Sequence, residues 1–345
     1  MRVYRVLGAI GRALITAGVI LLLFVAYQLW GTGLKTRVSQ HRLETQLQDR
    51  LQAFSQAAQE ESRSGGGSST TVTTPTTAPE FNGQGLASVY HLTPAQVAKL
   101  PPPKPGQAVG KIAIPAIGSN WWYVDGVDLA YLRKGPGHFP GTAWPGQKGN
   151  AALAGHRTTY GAPFHRINEL EPGDEIVITN LQGQFKYVVM SAAELKKRKM
   201  PIAFTNPADA TKGHIIINPT DSWILADYHD NRITLMACNP KYSARQRIVV
   251  VGKLVGRVAP TTKQTTTVIP KTLPGESSLV GNDPAARLPA FLWALACAAI
   301  WFTAWQVGKT WRGWKWPAYL LASPLFFVAL FICFTQVERM LPATY

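Results

Sequence analysis

The stretch RITLMACNP, Arg232–Pro240, is a run of seven strand-compatible residues cut off by Asn-Pro. It is too short for an ordinary helix, and its last apolar member, Cys238, meets a turn signal. Six further runs of the same kind surround it. They are VGKIAIP from Val109, AALAGH from Ala151, EIVIT from Glu175, QFKYVVMSA from Gln184, HIIIN from His214 and RIVVVGKLV from Arg247. Gly, Pro, Asn and Asp separate them, and long helical periodicity is nearly absent. Seven or eight short strands joined by turn chemistry predict a mainly β domain, a barrel or a sandwich.

Composition changes on both sides of these strands. Arg63–Gly85 (RSGGGSSTTVTTPTTAPEFNGQG) and Val258–Ser278 (VAPTTKQTTTVIPKTLPGESS) are dominated by Gly, Ser, Thr and Pro and read as flexible tethers. The residues between them suit one domain. Upstream, Leu34, Val38, Leu43, Leu47, Leu51, Phe54 and Ala58 recur mostly at three- and four-residue steps, with one step of five. That spacing predicts an amphipathic helix, read as a stalk, though pairing with a second copy or lying on a membrane fits the same pattern.

Three apolar blocks frame the rest. Ala13–Trp30 is uncharged and, at ~1.5 Å per residue, about as long as a bilayer core is thick. Leu288–Val307 and Trp316–Val337 are similar in length and nearly free of charge. A signal peptide fits the first block less well than an anchor, because no small-x-small site follows Trp30. Buried core helices are the rival for the other two, but their all-round apolarity opposes it. Arg2, Arg5 and Arg12 precede the first block, and Lys309, Arg312 and Lys315 join the last two. The positive-inside rule puts both basic segments in the cytoplasm and the β domain outside. The expected organisation is a basic end and membrane anchor over 1–33, a stalk helix over 34–62 and a linker with domain lead-in over 63–108. The β domain then covers 109–258, a second linker 259–287, a transmembrane hairpin 288–337 and an extracytoplasmic tail 338–345.

Whole-chain composition agrees. The 345 residues carry 35 Lys and Arg against 19 Asp and Glu, a net +16, with 46% hydrophobic and only 16% charged residues. Eleven Trp exclude a disordered basic protein, and three Cys exclude a disulfide scaffold. Net charge alone admits nucleic-acid binding. The basic residues, however, flank the apolar blocks, and residues 86–260 hold 20 basic against 11 acidic groups, a mild excess facing outward. No nucleic-acid partner is therefore expected. KKRK at Lys196–Lys199 reads as a solvated loop, with anionic wall polymer or lipid headgroups as its functional alternative.

Cys238 is the one cysteine in the outward domain, since Cys297 and Cys333 fall in the C-terminal blocks. A buried apolar side chain is the plain reading; a nucleophile at a strand end is the sharper one. A nucleophilic thiol needs a base or charge partner. His91, His138, His156, His165, His214 and His229 are available, besides His41 in the stalk. His156 stands out because it also ends a strand, AALAG. His165 and His229 read as surface residues and His214 as a buried imidazole. A tetrahedral oxyanion needs donors, and Arg245 or Arg247, just before the last strand, could supply them, unless they are simply surface arginines.

These stretches together, AGHRTTYG at Ala154–Gly161, TLMACNP at Thr234–Pro240 and SARQR at Ser243–Arg247, resemble sortases, the cysteine transpeptidases of Gram-positive bacteria. The tyrosine in GHRTTY is similar to class E members of actinobacteria. Ala237 departs from the threonine that commonly precedes the cysteine. The resemblance implies an eight-stranded sortase-type β-barrel, beside the one N-terminal and two C-terminal transmembrane helices read from the apolar blocks. It implies His156, Cys238 and Arg247 as catalytic residues and Tyr160 as a contact to the second position of a sorting motif. It also implies cleavage of an LPxTG or LAxTG motif between Thr and Gly on an exported protein, and transfer to an amine of a peptidoglycan precursor or pilin. No cofactor or metal is called for, and no GxxxxGK[ST], HExxH or CxxC pattern is present.

The chain ends LPATY, which matches four letters of such a motif and reads mainly as coincidence, with a self-substrate as the alternative. Rival functions are a silent sortase-like scaffold for wall or pilus proteins, an L,D-transpeptidase or a papain-like peptidase. The last two want a Ser-His-Gly-Cys run or a Cys-before-His order, and the chain has neither.

Overall fold

The computed structural model describes residues 2–64, 86, 101–203, 206–241, 245–261, 284–310 and 316–340. Most of both tethers, the LPATY tail, His91, and Ser243 and Ala244 of the SARQR motif lie outside the described residues. The chain forms two compact units, which are described separately. One holds residues up to Gly31 and the C-terminal helices. The other begins at Thr32 and contains the strands.

In the second unit the strands are β1 (Ala108–Ile114), β2 (Ser119–Asp125), β3 (Gly137–His138), β4 (Asn150–Ala154) and β5 (Glu175–Asn180). They continue with β6 (Gly183–Val189), β7 (Ile215–Ile217), β8 (Arg232–Asn239) and β9 (Gln246–Val255). All seven runs read from the sequence are strands. Eight strands close in the order β6-β5-β1-β2-β3-β4-β8-β9, with β9 returning to β6. Strand β7 is additional and shares the free edge of β9: Ile217 pairs with Arg247, while β6 pairs further along at Gly252–Val255. Closure removes the open edges that would otherwise template aggregation.

Side chains alternate across the wall. Ile233, Leu235 and Ala237 of β8 point inward with Ile112, Ile114, Leu153, Ile178 and Val250. Met236 and Val249 point outward beneath a second layer made by Met190, Leu195, Ile215 and Ile224. That layer includes the short helix from Ala192 to Lys197, opened by a capping box in which Ser191 and Glu194 satisfy each other's backbone N–H. One buried polar chain pins it to the barrel. Thr234 Oγ1 donates to Asn150 Oδ1 (2.8 Å), and Asn150 Nδ2 donates to the carbonyls of Ile224 and Ala226. At the start of β8, Arg232 is fully buried. Its guanidinium reaches Asp230 Oδ2 at 2.6 Å and lies 4.6 Å over the Tyr228 ring.

Helix α2 (Thr32–Ser64), the segment read as a stalk, buries its inner face on the barrel. Leu43, Leu47 and Leu51 pack with Leu86, Ala108, Trp122 and Val124. Each such leucine contributes roughly 1.5–3 kcal/mol of apolar burial. The preceding turns on this face carry Thr32, Thr36 and Gln40 rather than the apolar pair Leu34 and Val38, which are exposed. The reason is that the rim beneath them is backbone. Gln40 accepts from Trp122 N–H (2.7 Å) and donates to the carbonyls of Trp122 and Lys134, each at 2.8 Å. Its amide thus completes the β2 edge where the two-residue β3 is too short to do so. Thr36 Oγ1 donates to the Arg133 carbonyl at 3.1 Å.

The other unit contains α1 (Arg2–Ala26), a π turn (Tyr27–Gly31) and a helical pair, Arg287–Thr310 and Trp316–Met340. Three helical spans among the described residues, Ile10–Ala57, Pro284–Lys309 and Ala318–Met340, are long and apolar enough to cross a membrane. Leu21, Leu22, Leu320 and Leu321 are exposed on them, as lipid-facing residues are. Cys297, Ala329, Cys333 and Phe334 pack with Tyr27, whose hydroxyl donates to the buried Glu338 at 2.5 Å.

Candidate active site

Strand registers bring the sequence motifs to one end of the barrel. Strands β4 and β8 are parallel, with Ala154 opposite Met236, and Gly155 N–H donates to the Met236 carbonyl at 3.0 Å. Two residues beyond this pair come His156, just past the end of β4, and Cys238, near the end of β8, so both belong to the same end of the barrel. Strands β8 and β9 are antiparallel, with Cys238 opposite Arg247. Directly opposed residues share a face, so the thiol and this guanidinium project to the same side. His156 and Arg247 are buried and Cys238 is partly exposed. Ala237 faces the other way, into the barrel interior.

Arg157 is a member of the site that sequence reasoning passed over. Its Nη1 donates to the Cys238 carbonyl (3.2 Å) and to Asn239 Oδ1 (2.8 Å), and its Nη2 donates to Asn168 Oδ1 (2.9 Å). One planar fork thereby ties the His156 loop, the Cys238 strand end and the Ile167–Glu169 turn together. The signal was present in GHR, but adjacency to histidine gives no hint that the arginine turns toward Cys238.

Burial pushes the Cys238 thiol above its ordinary value, while Arg247 and then Arg157 pull it back. Two cations beside one desolvated thiol favour the thiolate once the proton leaves. Burial also holds the His214 imidazole below its ordinary value, helped by Lys212 and Arg157.

The loop after β4 has little freedom. A Cβ on Gly155 would lie 2.6 Å from Phe164 Cδ2, so only glycine fits beneath that buried ring. Phe164 N–H closes the loop on the His156 carbonyl at 3.1 Å. Tyr160, Gly161 and Ala162 are all left-handed, at φ 53°, 74° and 47°. The Tyr160 ring lies 4.7 Å from the His156 ring, tilted by 46°. Arg133 Nε donates to the Tyr160 hydroxyl at 3.1 Å, with its guanidinium 5.6 Å over the ring.

His138 stacks on Trp144 at 4.1 Å with Nε2 2.9 Å from the Ala143 carbonyl. His229 is exposed, as expected. His165 is exposed too, but its Nδ1 lies 2.9 Å from the Arg157 carbonyl, on the rim of the site.

Comparison with known proteins points to one family. A sortase domain model matches residues 112–255. The chain is 31% identical over 254 residues to sortase SrtE1 of Streptomyces coelicolor, covering 72% of this chain and 56% of that protein. It is 31% identical to sortase D of Bacillus subtilis, covering 44% of this chain and 67% of that one. The solved structure of sortase E from Streptomyces avermitilis is 30% identical with a TM-score of 0.35, covering 44% of this chain and 91% of that chain. The chain belongs to the sortase family of cysteine transpeptidases, and within it resembles the class E members from Streptomyces. It spans little more than half the length of SrtE1.

Proposed function

We propose that the protein is a membrane-anchored sortase that cleaves a C-terminal LPxTG- or LAxTG-like motif between Thr and Gly and passes the protein to an amine. The observation that supports this reading is the strand register, which sets Cys238 opposite Arg247 and ends β4, two residues before His156, beside the same stretch of β8. The Cys238 thiol gives its proton to His156, and its sulfur attacks the Thr carbonyl carbon. The carbonyl electron pair moves to oxygen, where the Arg247 guanidinium stabilises it. The C–N bond to Gly then breaks, and His156 returns the proton to the leaving amine. A thioacyl bond to Cys238 remains. An amine of a peptidoglycan precursor or a pilin lysine attacks it, with His156 now acting as base. One peptide bond is exchanged for another, so no cofactor is needed. Tyr160 contacts the second position of the motif, since class E relatives resemble this chain there.

The positive-inside rule supports an N-terminus and a 308–316 loop in the cytoplasm, with the barrel of residues 109–258 outside. Its partners are then exported proteins bearing the motif and a cell-wall or pilin amine.

The test is cleavage of LPxTG and LAxTG peptides by the full chain in nanodiscs, with and without an amine acceptor. Release of the Gly-containing fragment by wild type and its absence from Cys238→Ala are expected. Failure to cut either peptide by a folded wild-type chain would overturn the proposal.

A further inference from the structure

We propose that helix α2 is a working part of the active site and that Thr32, at its first turn, is a positioning residue for the Tyr160 loop and hence for His156. The inference rests on the sortase reading above for its kinetic consequence, and on geometry alone for its structural one.

The starting point is the backbone of Tyr160–Ala162. Left-handed φ is easy for Gly161, but Tyr160 and Ala162 carry a Cβ that opposes it. Such a conformation persists where surrounding contacts over-determine it. Here the contacts come from two directions. From the barrel, Trp121 lies where a Cβ on Gly161 would go, and Ser119 Oγ donates to the Pro163 carbonyl at 2.8 Å. From α2, Thr32 Oγ1 accepts the Tyr160 N–H at 3.1 Å, and a Cβ on Gly33 would lie 3.8 Å from Gly161 N. Thr32 is fully buried and Tyr160 nearly so, so water does not stand in for this bond.

The same helix acts on Tyr160 by a second path. Thr36 holds the Arg133 carbonyl, and Gln40 holds the Lys134 carbonyl next to it. Arg133 then donates to the Tyr160 hydroxyl and covers its ring. Tyr160 is thus gripped at its N–H by Thr32 and at its hydroxyl by a residue that Thr36 anchors. Its ring in turn flanks the His156 ring. Thr32, Thr36 and Gln40 are spaced by four residues, one face of one helix. Leu43, Leu47 and Leu51 continue that face and fix the helix to the barrel. A fragment beginning after the helix therefore lacks the Thr32 contact to this loop.

The experiment uses the full chain in nanodiscs and compares wild type, Thr32→Val and Thr32→Ser. Valine keeps the shape and removes the acceptor oxygen; serine restores it. Amide exchange is read over residues 156–165 and over β8 and β9, and kcat and KM are read on the motif peptide. Thr32→Val is expected to exchange at least about tenfold faster at Tyr160 and to lose about tenfold in kcat/KM, the equivalent of 1.4 kcal/mol. Exchange in β8 and β9 stays at the wild-type rate, and Thr32→Ser recovers both readouts. Unchanged exchange at Tyr160 in Thr32→Val overturns the proposal, as does faster exchange spread equally over β8 and β9, which marks general loosening. If wild type cleaves no peptide, the sortase reading fails while the exchange data still decide the positioning role.

Discussion

Replacing Arg157 by methionine removes a charged fork while keeping a long apolar stem. Three hydrogen bonds go with it, to the Cys238 carbonyl, Asn239 Oδ1 and Asn168 Oδ1. Bonds to a charged group contribute roughly 1.5–3 kcal/mol each. Asn168 and Asn239 are only partly buried, so water recovers part of their share. A net loss of about 3 kcal/mol follows. For a domain of about 150–250 residues that is a fall in Tm of about 6–12 °C. The thiolate also loses a neighbouring cation. Arg157 pulls the thiol down less than Arg247 does, so its removal shifts the balance further toward the protonated form.

The assay is iodoacetamide alkylation at neutral pH, read by mass spectrometry on the Cys238 peptide so that Cys297 and Cys333 do not contribute. Arg157→Met is expected to react more slowly than wild type, because less of its thiol is ionised. Arg157→Lys keeps the charge but not the fork, so its alkylation rate recovers while its Tm stays low. An unchanged alkylation rate in Arg157→Met would refute the claim that this guanidinium tunes the thiol.

Other outcomes follow from the same contacts. Leu47→Ala removes a buried contact under α2 and costs about 2–4 kcal/mol; amide exchange should rise across residues 40–57 before it rises in the barrel strands. Gly155→Ala forces Phe164 aside, with a cost of about 1–3 kcal/mol and a slower cleavage rate, both absent if the loop simply relaxes. The folded Cys238 thiol titrates above its unfolded value because it is buried. Its contribution to stability is therefore complete below the unfolded thiol range and is lost as pH rises through the folded one. Denaturation midpoints on the alkaline side should fall less steeply in Cys238→Ala than in wild type. The buried His214 has the opposite sign, so its contribution is present above the unfolded imidazole value and is lost as pH falls. His214→Asn should flatten the acid limb between pH 7 and about 5, and an unaltered limb contradicts that assignment.

Much of the barrel was legible because period-two apolar runs and turn residues survive as local signals. Strand β2 was missed since SNWWYVD contains one β-branched residue and follows a short turn at Gly118. Strand β3 is two residues long and has no pattern to read. The α2 helix was visible, but not its docking. Leu34 and Val38 belong to the apolar stripe and are exposed, while the polar Thr32, Thr36 and Gln40 face the barrel rim. A hydrophobicity pattern does not reveal a face whose partners are backbone N–H and C=O groups. At the site, His156, Cys238 and Arg247 each sit at a strand boundary, which a sequence displays. Arg157 and Arg133 act through long side chains that cross between elements, and the register of β4 against β8 brings Arg157 within reach of the Cys238 strand end.

The most direct measurement is the intact mass of the full chain after brief exposure to an LAxTG or LPxTG peptide, followed by acid quench and mapping. The account predicts a thioester adduct ending at the motif threonine, on Cys238, that hydroxylamine removes and that Cys238→Ala never forms. An adduct on another residue, or peptide cleavage by Cys238→Ala at the wild-type rate, contradicts it.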